Sequence, residues 1–154
     1  MNRPTQINSS VPGNPRISTY TRAQRDTVTF SVNGDVTGVL LADRLQLEIV
    51  LRNLLTNAFD AVSARPVGSR EVAIRAQRNG AQELTITIRD TGPGFPAEFH
   101  EHAYEPFRST KTSGLGLGLA ISHAIVKTHG GELRAISGLS GLIELVLPME
   151  KDGV

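Results

Sequence analysis

The segment Leu84-Thr85-Ile86-Thr87-Ile88-Arg89-Asp90 predicts a β-strand, and the predicted turn Thr91-Gly92-Pro93-Gly94 follows it. Apolar and polar residues alternate along it, and a period of two places successive side chains on opposite faces of a sheet. Asp90 therefore shares a face with the leucine and the two isoleucines, which is the apolar face. A carboxylate on that face needs hydrogen-bond donors, because an unpaired buried charge is costly.

Two interpretations of Asp90 stay open on these residues alone. A carboxylate only accepts hydrogen bonds and the amino group of adenine donates them, so Asp90 suits a purine site. Gly92 and Gly94 would then let the backbone pass close to the planar base. Alternatively, Asp90 begins a turn and its side chain accepts from nearby backbone N–H groups. Its position alone does not favour the purine site over the local turn.

A long amphipathic helix is predicted upstream, from Arg44 to Ala64, with Asp43 as its N-cap and Pro66 and Gly68 after its end. Its apolar residues form one broad stripe, which marks the face that packs on a core. The stripe consists of Leu47, Leu51, Leu54, Leu55, Ala58 and Val62.

The same helix contains the segment Asn53-Leu54-Leu55-Thr56-Asn57-Ala58-Phe59-Asp60-Ala61. Asn53 and Asn57 are four residues apart and share one helix face, which Asp60 and Ala61 continue. Asparagine is a poor helix former, and its amide oxygen is a hard ligand suited to Mg²⁺. The alternative is that both residues belong to an ordinary solvated polar face, and periodicity alone favours that alternative.

A second glycine-rich stretch, Gly114-Leu115-Gly116-Leu117-Gly118-Leu119, precedes a helix predicted from about Gly116 to Thr128. Glycines let backbone N–H groups approach a phosphate, and the N-terminus of the following helix adds a favourable dipole. The stretch lacks the Gly-Lys-Ser/Thr ending of a P-loop, and it follows a polar loop rather than a strand, unlike a dinucleotide fold. The alternative interpretation is a flexible hinge.

The remaining elements are strands and one short helix in mixed order, which predicts an α+β fold with helices layered on a largely antiparallel sheet. Asn33-Gly34 is a turn signal from which a second strand can return. Strands are predicted at Thr27 to Val32, Thr37 to Leu41, Glu71 to Arg78, Glu83 to Asp90, Glu132 to Ser137 and Leu142 to Leu147, and the short helix near Pro96 to His102. Residues 1–25 are polar and broken by prolines, and they are predicted to be a flexible tail or linker.

The motifs, in this order, resemble the catalytic, ATP-binding domain of bacterial sensor histidine kinases. Between the two glycine stretches lies Glu105-Pro106-Phe107-Arg108-Ser109-Thr110-Lys111, and the four segments look like that family's N, G1, F and G2 boxes. The resemblance runs from about Asp43 to Pro148. It implies the Bergerat ATP-binding fold, a two-layer sandwich of about three helices on a mixed, largely antiparallel five-stranded sheet. Residues 26–150 are then the ATP-binding catalytic domain.

The resemblance also implies roles for residues and the cofactors ATP and Mg²⁺. Asn53 and Asn57 correspond to the catalytic residues: Asn57 to the magnesium ligand, and Asn53 to a group that faces the phosphates or orients water. Asp90 corresponds to the adenine acceptor. Arg108 and Lys111 can neutralise triphosphate charge, although both also suit a solvated loop. The residues expected to bind ATP are Asn53, Asn57, Asp60, Ala61, Asp90, Gly92, Gly94, Phe95, Lys111, Thr112, Gly114, Leu115, Gly116, Leu117 and Gly118.

By resemblance, the function is transfer of the γ-phosphoryl group of Mg-ATP to a histidine of a separate dimerisation and phosphoacceptor domain, and through it to a response regulator. None of the four histidines has the His-Glu-x-x-x-Pro setting of that acceptor, so the chain is expected to be an isolated catalytic domain, cytoplasmic and monomeric. His123 and His129 are interpreted as helix-surface or helix-end residues. The alternatives are an ATPase of the gyrase and chaperone kind and a nucleotide-binding module without turnover. Those ATPases have a glutamate base where this chain has Asn53, and an amide is a poor base.

The composition of the chain limits the kinds of partner and metal site that can be expected. The chain has 154 residues, a net charge of +1 and no cysteine. The near-neutral charge gives no field that favours nucleic acid or an anionic membrane, and the lack of cysteine excludes disulfides and thiolate metal sites. One departure from the family lies at Gly141-Leu142-Ile143-Glu144, where the family has Gly-Thr-x-Phe. The replacement for that threonine near the adenine stays open.

Overall fold

A five-stranded sheet underlies two helices in the computed structural model, which describes residues 5–8, 28–34, 36–95 and 118–151. The spatial order of its strands is β2 (Thr29–Asn33), β4 (Glu71–Asn79), β5 (Glu83–Asp90), β7 (Gly141–Pro148) and β6 (Glu132–Ala135). The pair β2–β4 is parallel, and the other three pairs are antiparallel. The predicted mixed, largely antiparallel sheet of an α+β fold is therefore confirmed.

Both long helices lie where the sequence predicts them. Helix α1 (Arg44–Val62) begins after Asp43, whose Oδ1 accepts a hydrogen bond of 3.0 Å from the N–H of Gln46, as an N-cap does. Helix α2 (Gly118–Thr128) is terminated by the turn at Gly130, where a φ of 71° favours glycine. The third predicted helix, near Pro96 to His102, lies outside the described residues.

The core lies between α1 and one face of the sheet. The buried positions of α1 are Val50, Leu54, Ala58, Phe59 and Val62, and the sheet contributes Val72, Leu84, Ile86, Ile88, Leu133, Ile143, Leu145 and Leu147. Strand β7 alternates buried and half-buried side chains along its whole length, as a strand with one face on a core does. Burial of these apolar side chains holds α1 at a fixed height above β5, the strand that ends at Asp90.

The turn at Asn33-Gly34 does not produce the expected return strand beside β2. Strand β3 (Thr37–Leu40) instead pairs antiparallel with β1 (Thr5–Asn8), in a separate two-stranded sheet. Val36 and Leu40 are buried in the core, and the N–H of Leu41 donates to the carbonyl of Pro148 at 3.2 Å. These contacts hold β3 at the end of β7, away from β2.

Strand β1 also modifies the expectation of a flexible tail, because it lies within residues 1–25. Its four residues pair in register with β3, from Thr5 opposite Leu40 to Asn8 opposite Thr37. The other residues of that segment lie outside the described part of the chain. The first two residues of the predicted second helix, Gly116 and Leu117, also lie outside the described residues. The ends of the other predicted strands and helices agree with the structure to within two residues.

Candidate functional site

Asp90 is buried at the last position of β5, with 6% of its surface exposed. It lies on the core side of the strand, as the period of two predicts, while its neighbour Arg89 is exposed. Burial raises the pKa of the Asp90 carboxyl above its ordinary value of 3.8, and hydrogen bonds from the backbone N–H groups of Gly92 and Gly141 partly offset that rise. The carboxylate is therefore held inside the fold by backbone donors.

The local turn is one of the two interpretations of Asp90, and it is present. Asp90 Oδ1 accepts a hydrogen bond of 2.8 Å from the N–H of Gly92, two residues further along the chain. This bond does not exclude a ligand, since a carboxylate offers about four acceptor positions and these backbone bonds use two of them. The turn therefore fixes the direction of the carboxylate.

Gly92 brings the backbone of this turn against α1. A Cβ atom at Gly92 would lie 2.8 Å from the Cβ of Ala61 and 2.7 Å from Asp90 Oδ1, which is closer than Cβ atoms approach in proteins. Ala61 therefore lies beside the turn. The glycine allows the C-terminal part of α1 and the end of β5 to meet without an intervening side chain.

Gly94 and Phe95 follow the turn and lie against the segment that precedes β7. Gly94 has a φ of 78°, and a Cβ atom there would collide with the carbonyl of Gly138 and lie 2.9 Å from the nitrogen of Ser140. Phe95 is half-buried against the core, and its carbonyl accepts a hydrogen bond of 3.1 Å from the N–H of Gly138. The structure thus gives Phe95 a packing role at the edge of the site.

The second half of the site lies between α1 and the start of α2. Asn53 Nδ2 donates to Ser122 Oγ at 3.4 Å, and a Cβ atom on Gly118 would lie 3.9 Å from both Asn53 and Asn57. Both asparagines are half-exposed, and Ser122 is fully buried. The structure therefore brings together the two asparagines and the first residue of α2, as the motifs predict.

Ser122 is a site residue that the sequence analysis missed. It lies four residues after Gly118, one turn further along α2, on the face that meets α1. Its position one turn after the glycine stretch was the available signal.

His129 joins the end of α2 to the start of α1, so of its two predicted locations the structure gives the helix end and not the helix surface. The residue is 8% exposed, one position after the end of α2. Its Nε2 accepts a hydrogen bond of 3.1 Å from the N–H of Asp43, and its Nδ1 lies 2.7 Å from the carbonyl of Ile125. Since a carbonyl only accepts and an amide N–H only donates, these two contacts match a ring that donates from Nδ1 and accepts at Nε2.

The other predicted site residues divide into two groups. Asp60 is exposed on α1, where its carbonyl accepts hydrogen bonds from the N–H and hydroxyl of Ser63 at the helix end. A second group lies outside the described residues: Lys111, Thr112, Gly114, Leu115, Gly116 and Leu117. The predicted lid residues Phe107 and Arg108 lie outside them as well. Within the described ranges, no three His, Asp or Glu side chains lie close enough together to hold a metal ion by themselves.

An open depression of about 640 Å³ lies over the edge of the sheet at Asn33, Gly34 and Arg75 to Arg78, away from Asp90 and the asparagines. Neither α1 nor α2 combines the length and the apolar character that a bilayer-crossing helix requires.

Comparison with known proteins gives the same assignment as the motifs. Residues 42–151 match the family described as histidine kinase-, DNA gyrase B-, and HSP90-like ATPase. Among its relatives, the C4-dicarboxylate transport sensor protein DctB of Rhizobium meliloti (strain 1021) is 42% identical over 101 residues, which are 66% of this chain and 16% of that protein. The sensory histidine kinase/phosphatase NtrB of Rhizobium leguminosarum bv. phaseoli is 34% identical and covers 97% of this chain and 42% of that protein. The chain thus spans less than half the length of these relatives.

Solved structures extend this likeness to three dimensions. The mycobacterial sensor histidine kinase MprB superposes with a TM-score of 0.73 at 29% identity, over 85% of this chain and 90% of that one. The motifs, the sheet order and these relatives agree. The chain therefore belongs to the histidine kinase-, DNA gyrase B- and HSP90-like ATPase family, and within it to the catalytic, ATP-binding domains of sensor histidine kinases.

Proposed function

We propose that this domain binds Mg-ATP and donates the γ-phosphoryl group to a histidine on a dimerisation and phosphoacceptor domain, which then serves a response regulator. Membership of the sensor kinase family supports a kinase function in general. The observation that carries the finer proposal is the buried carboxylate of Asp90, held between backbone donors at the end of β5. We place the reaction in the cytoplasm, as the activity of one part of a sensor kinase.

The base-binding end of the proposed site is built from Asp90 and Gly92. The carboxylate accepts and the exocyclic amino group of adenine donates, whereas guanine presents a carbonyl oxygen at the corresponding ring position. The absence of a side chain at Gly92 lets a flat ring approach the backbone. This arrangement favours adenine nucleotides over guanine nucleotides.

The phosphate end is built from Asn53, Asn57 and the N-terminus of α2 at Gly118. Backbone N–H groups at a helix N-terminus favour an anion, and Gly118 lies beside both asparagines. The amide oxygen of Asn57 fits Mg²⁺, which takes few protein ligands and keeps water and phosphate oxygens. When bound, the ion would neutralise charge on the phosphates, while this chain's residues orient them.

Phosphoryl transfer is favoured over ATP hydrolysis by the residue one turn before Asn57. That residue is Asn53, whose amide donates to Ser122 and cannot take a proton from water near neutral pH. In this proposal the domain supplies positioning and charge neutralisation, and the acceptor histidine supplies the nucleophile. A domain with an amide in place of a base at residue 53 would keep the phosphoryl group for its partner.

Calorimetric titration with ADP and Mg²⁺ tests the binding step, with GDP as the matched control nucleotide. The transfer step is tested by mixing the chain with labelled ATP, Mg²⁺ and phosphoacceptor fragments of related sensor kinases, such as the one that is 34% identical. Acid-labile phosphate on a fragment supports the proposal. Release of inorganic phosphate without a fragment would indicate an ATPase instead, and ADP binding without transfer to any fragment would leave a nucleotide-binding module.

A further inference from the structure

Thr91 stands between the two residues of the base-binding end and makes three hydrogen bonds to one neighbouring segment. Its N–H donates to the carbonyl of Glu71 at 3.1 Å, and its Oγ1 accepts from the N–H of Glu71 at 3.0 Å. The same hydroxyl donates to the carbonyl of Ser69 at 2.7 Å. A hydroxyl has one donor and two acceptor positions, so Thr91 uses its side chain in both directions.

These bonds continue the ladder between β4 and β5 one residue beyond its last regular pair, Val72 with Asp90. At this point β5 has ended and the chain is about to turn at Gly92. A chain leaving a strand is free to change direction unless something fixes its backbone. The threonine side chain supplies that fixation at the residue between Asp90 and Gly92.

The segment that holds Thr91 is itself fastened to α1. The guanidinium of Arg70 donates to the carbonyl of Arg65 at 2.7 Å and to that of Ser63 at 3.0 Å, at the negative C-terminal end of the helix. The N–H of Ser69 donates to the carbonyl of Pro66 at 3.0 Å. A continuous set of hydrogen bonds therefore joins α1, which carries Asn53 and Asn57, to the turn that carries Asp90 and Gly92.

We infer that Thr91 is a positioning residue for recognition of the nucleotide base, acting through its hydrogen bonds to Ser69 and Glu71. Its hydroxyl fixes the direction of the Asp90 carboxylate and the path of Gly92, and it sets both relative to the asparagine face of α1. This role rests on the proposed nucleotide function. It requires a hydroxyl at residue 91, and a methyl group of the same shape cannot replace it.

Titration of the full chain with ADP and GDP tests this role in the variants Thr91→Val, Thr91→Ser and Thr87→Val. Thr87 is the matched control, because it is on β5, the strand that ends just before Thr91. The hydrogen bond described for its hydroxyl goes to the carbonyl of Arg75, away from the site. Thr91→Val should weaken ADP binding about 10-fold and reduce the preference for ADP over GDP, since it removes two side-chain hydrogen bonds that each contribute about a few-fold. Thr91→Ser should retain most of the wild-type affinity, and Thr87→Val should match the wild type.

Hydrogen exchange of the nucleotide-free chain gives a second readout that does not depend on nucleotide binding. Thr91→Val should accelerate exchange of the Gly92 N–H, which bonds to Asp90, while the N–H groups of the β4–β5 ladder keep their protection. Unchanged ADP affinity and selectivity in Thr91→Val, or failure of Thr91→Ser to restore them, would overturn the inference. A wild-type chain that does not bind ADP would remove the proposed function, and the base-recognition role with it. Faster Gly92 exchange alongside that result would show that the geometry had been assigned correctly.

Discussion

Asp90 and Gly141 face each other across the β5–β7 pair, and the backbone of Gly141 donates to the Asp90 carboxylate. A Cβ atom added at Gly141 would overlap that carboxylate, since all three of its nearest atoms would belong to Asp90. The glycine is thus required by the space that the buried acid occupies.

Gly141→Ala should therefore damage the base-binding end of the site. The added methyl group must displace the Asp90 carboxylate or spread β5 and β7 apart, and overpacking of this kind costs about 1–3 kcal/mol of unfolding free energy. ADP affinity should fall by about 10-fold or more, because the acceptor moves. Gly138→Ala is the control, as a Cβ atom there meets nothing nearer than 3.9 Å. Equal ADP affinity for the two variants would contradict this reading of the Asp90–Gly141 contact.

Asp90→Asn should weaken ADP binding, while its stability relative to the wild type should increase with pH. Loss of the ionised acceptor should weaken ADP binding by about 10-fold to 100-fold, the range for a hydrogen bond to a charged group. Because burial raises the pKa of Asp90, the folded protein holds its proton more tightly than the unfolded chain does. Wild-type stability therefore contains a contribution that is present below the unfolded pKa and is lost as pH rises through the folded pKa.

Urea denaturation over a pH series measures that contribution. The unfolding free energy of Asp90→Asn, taken relative to wild type, should increase as pH rises from acid to neutral, because the variant has no carboxylate to ionise. In the wild type, ADP affinity should fall as pH decreases through the raised pKa. Glu83→Gln, at an exposed position of the same strand, is the control for general charge effects. A relative stability of Asp90→Asn that does not change with pH would refute the assignment.

The parts of the fold that were predicted correctly are those governed by local periodicity. The period of two from Leu84 to Asp90 correctly gave the inward direction of the acid, and the spacing of four correctly placed Asn53 and Asn57 on one face. Both results depend on geometry within one element, and the core then preserved that geometry. Contacts between elements that are distant in the sequence leave no such periodic pattern in either element.

Three findings show what local patterns could not give. The parallel pairing of β2 with β4, in place of a hairpin at Asn33-Gly34, joins two strands that β3 and α1 separate in the sequence. The contact between Asn53 and Ser122 joins residues 69 positions apart. The buried location of His129 depends on the start of a helix that lies 86 residues earlier in the chain.

Asn57→Ala should separate magnesium-dependent chemistry from binding of the base. If Asn57 provides a ligand to Mg²⁺, the variant should keep its affinity for ADP measured without the ion and lose the gain that Mg²⁺ adds. Phosphotransfer should fall by about 100-fold, since a misplaced phosphate loses most of the positioning effect. Thr56→Ala, at an exposed position of the same helix, is the control. Full transfer activity in Asn57→Ala would mean that another residue holds the ion.

His129→Ala should destabilise the whole domain without touching the nucleotide. The substitution leaves the N–H of Asp43 without its partner, whereas the carbonyl of Ile125 keeps the hydrogen bond from the Thr128 hydroxyl. It also opens a cavity beside Val50 and Leu147, next to a small existing one. An unsatisfied buried group costs about 1–3 kcal/mol, and the lost packing adds to that cost. Urea denaturation should therefore show a loss of about 2–4 kcal/mol.

His123→Ala provides the comparison for this last measurement, because His123 is half-exposed on the same helix and should lose less stability. Since His129 lies at the end of the helix pair opposite to Gly118, the folded fraction of His129→Ala should still bind ADP with nearly wild-type affinity. Saturating ADP should then recover part of the lost stability by mass action. A large loss of ADP affinity in protein shown to be folded would instead mean that the contact between Asp43 and His129 sets the spacing of α1 and α2 at the phosphate end.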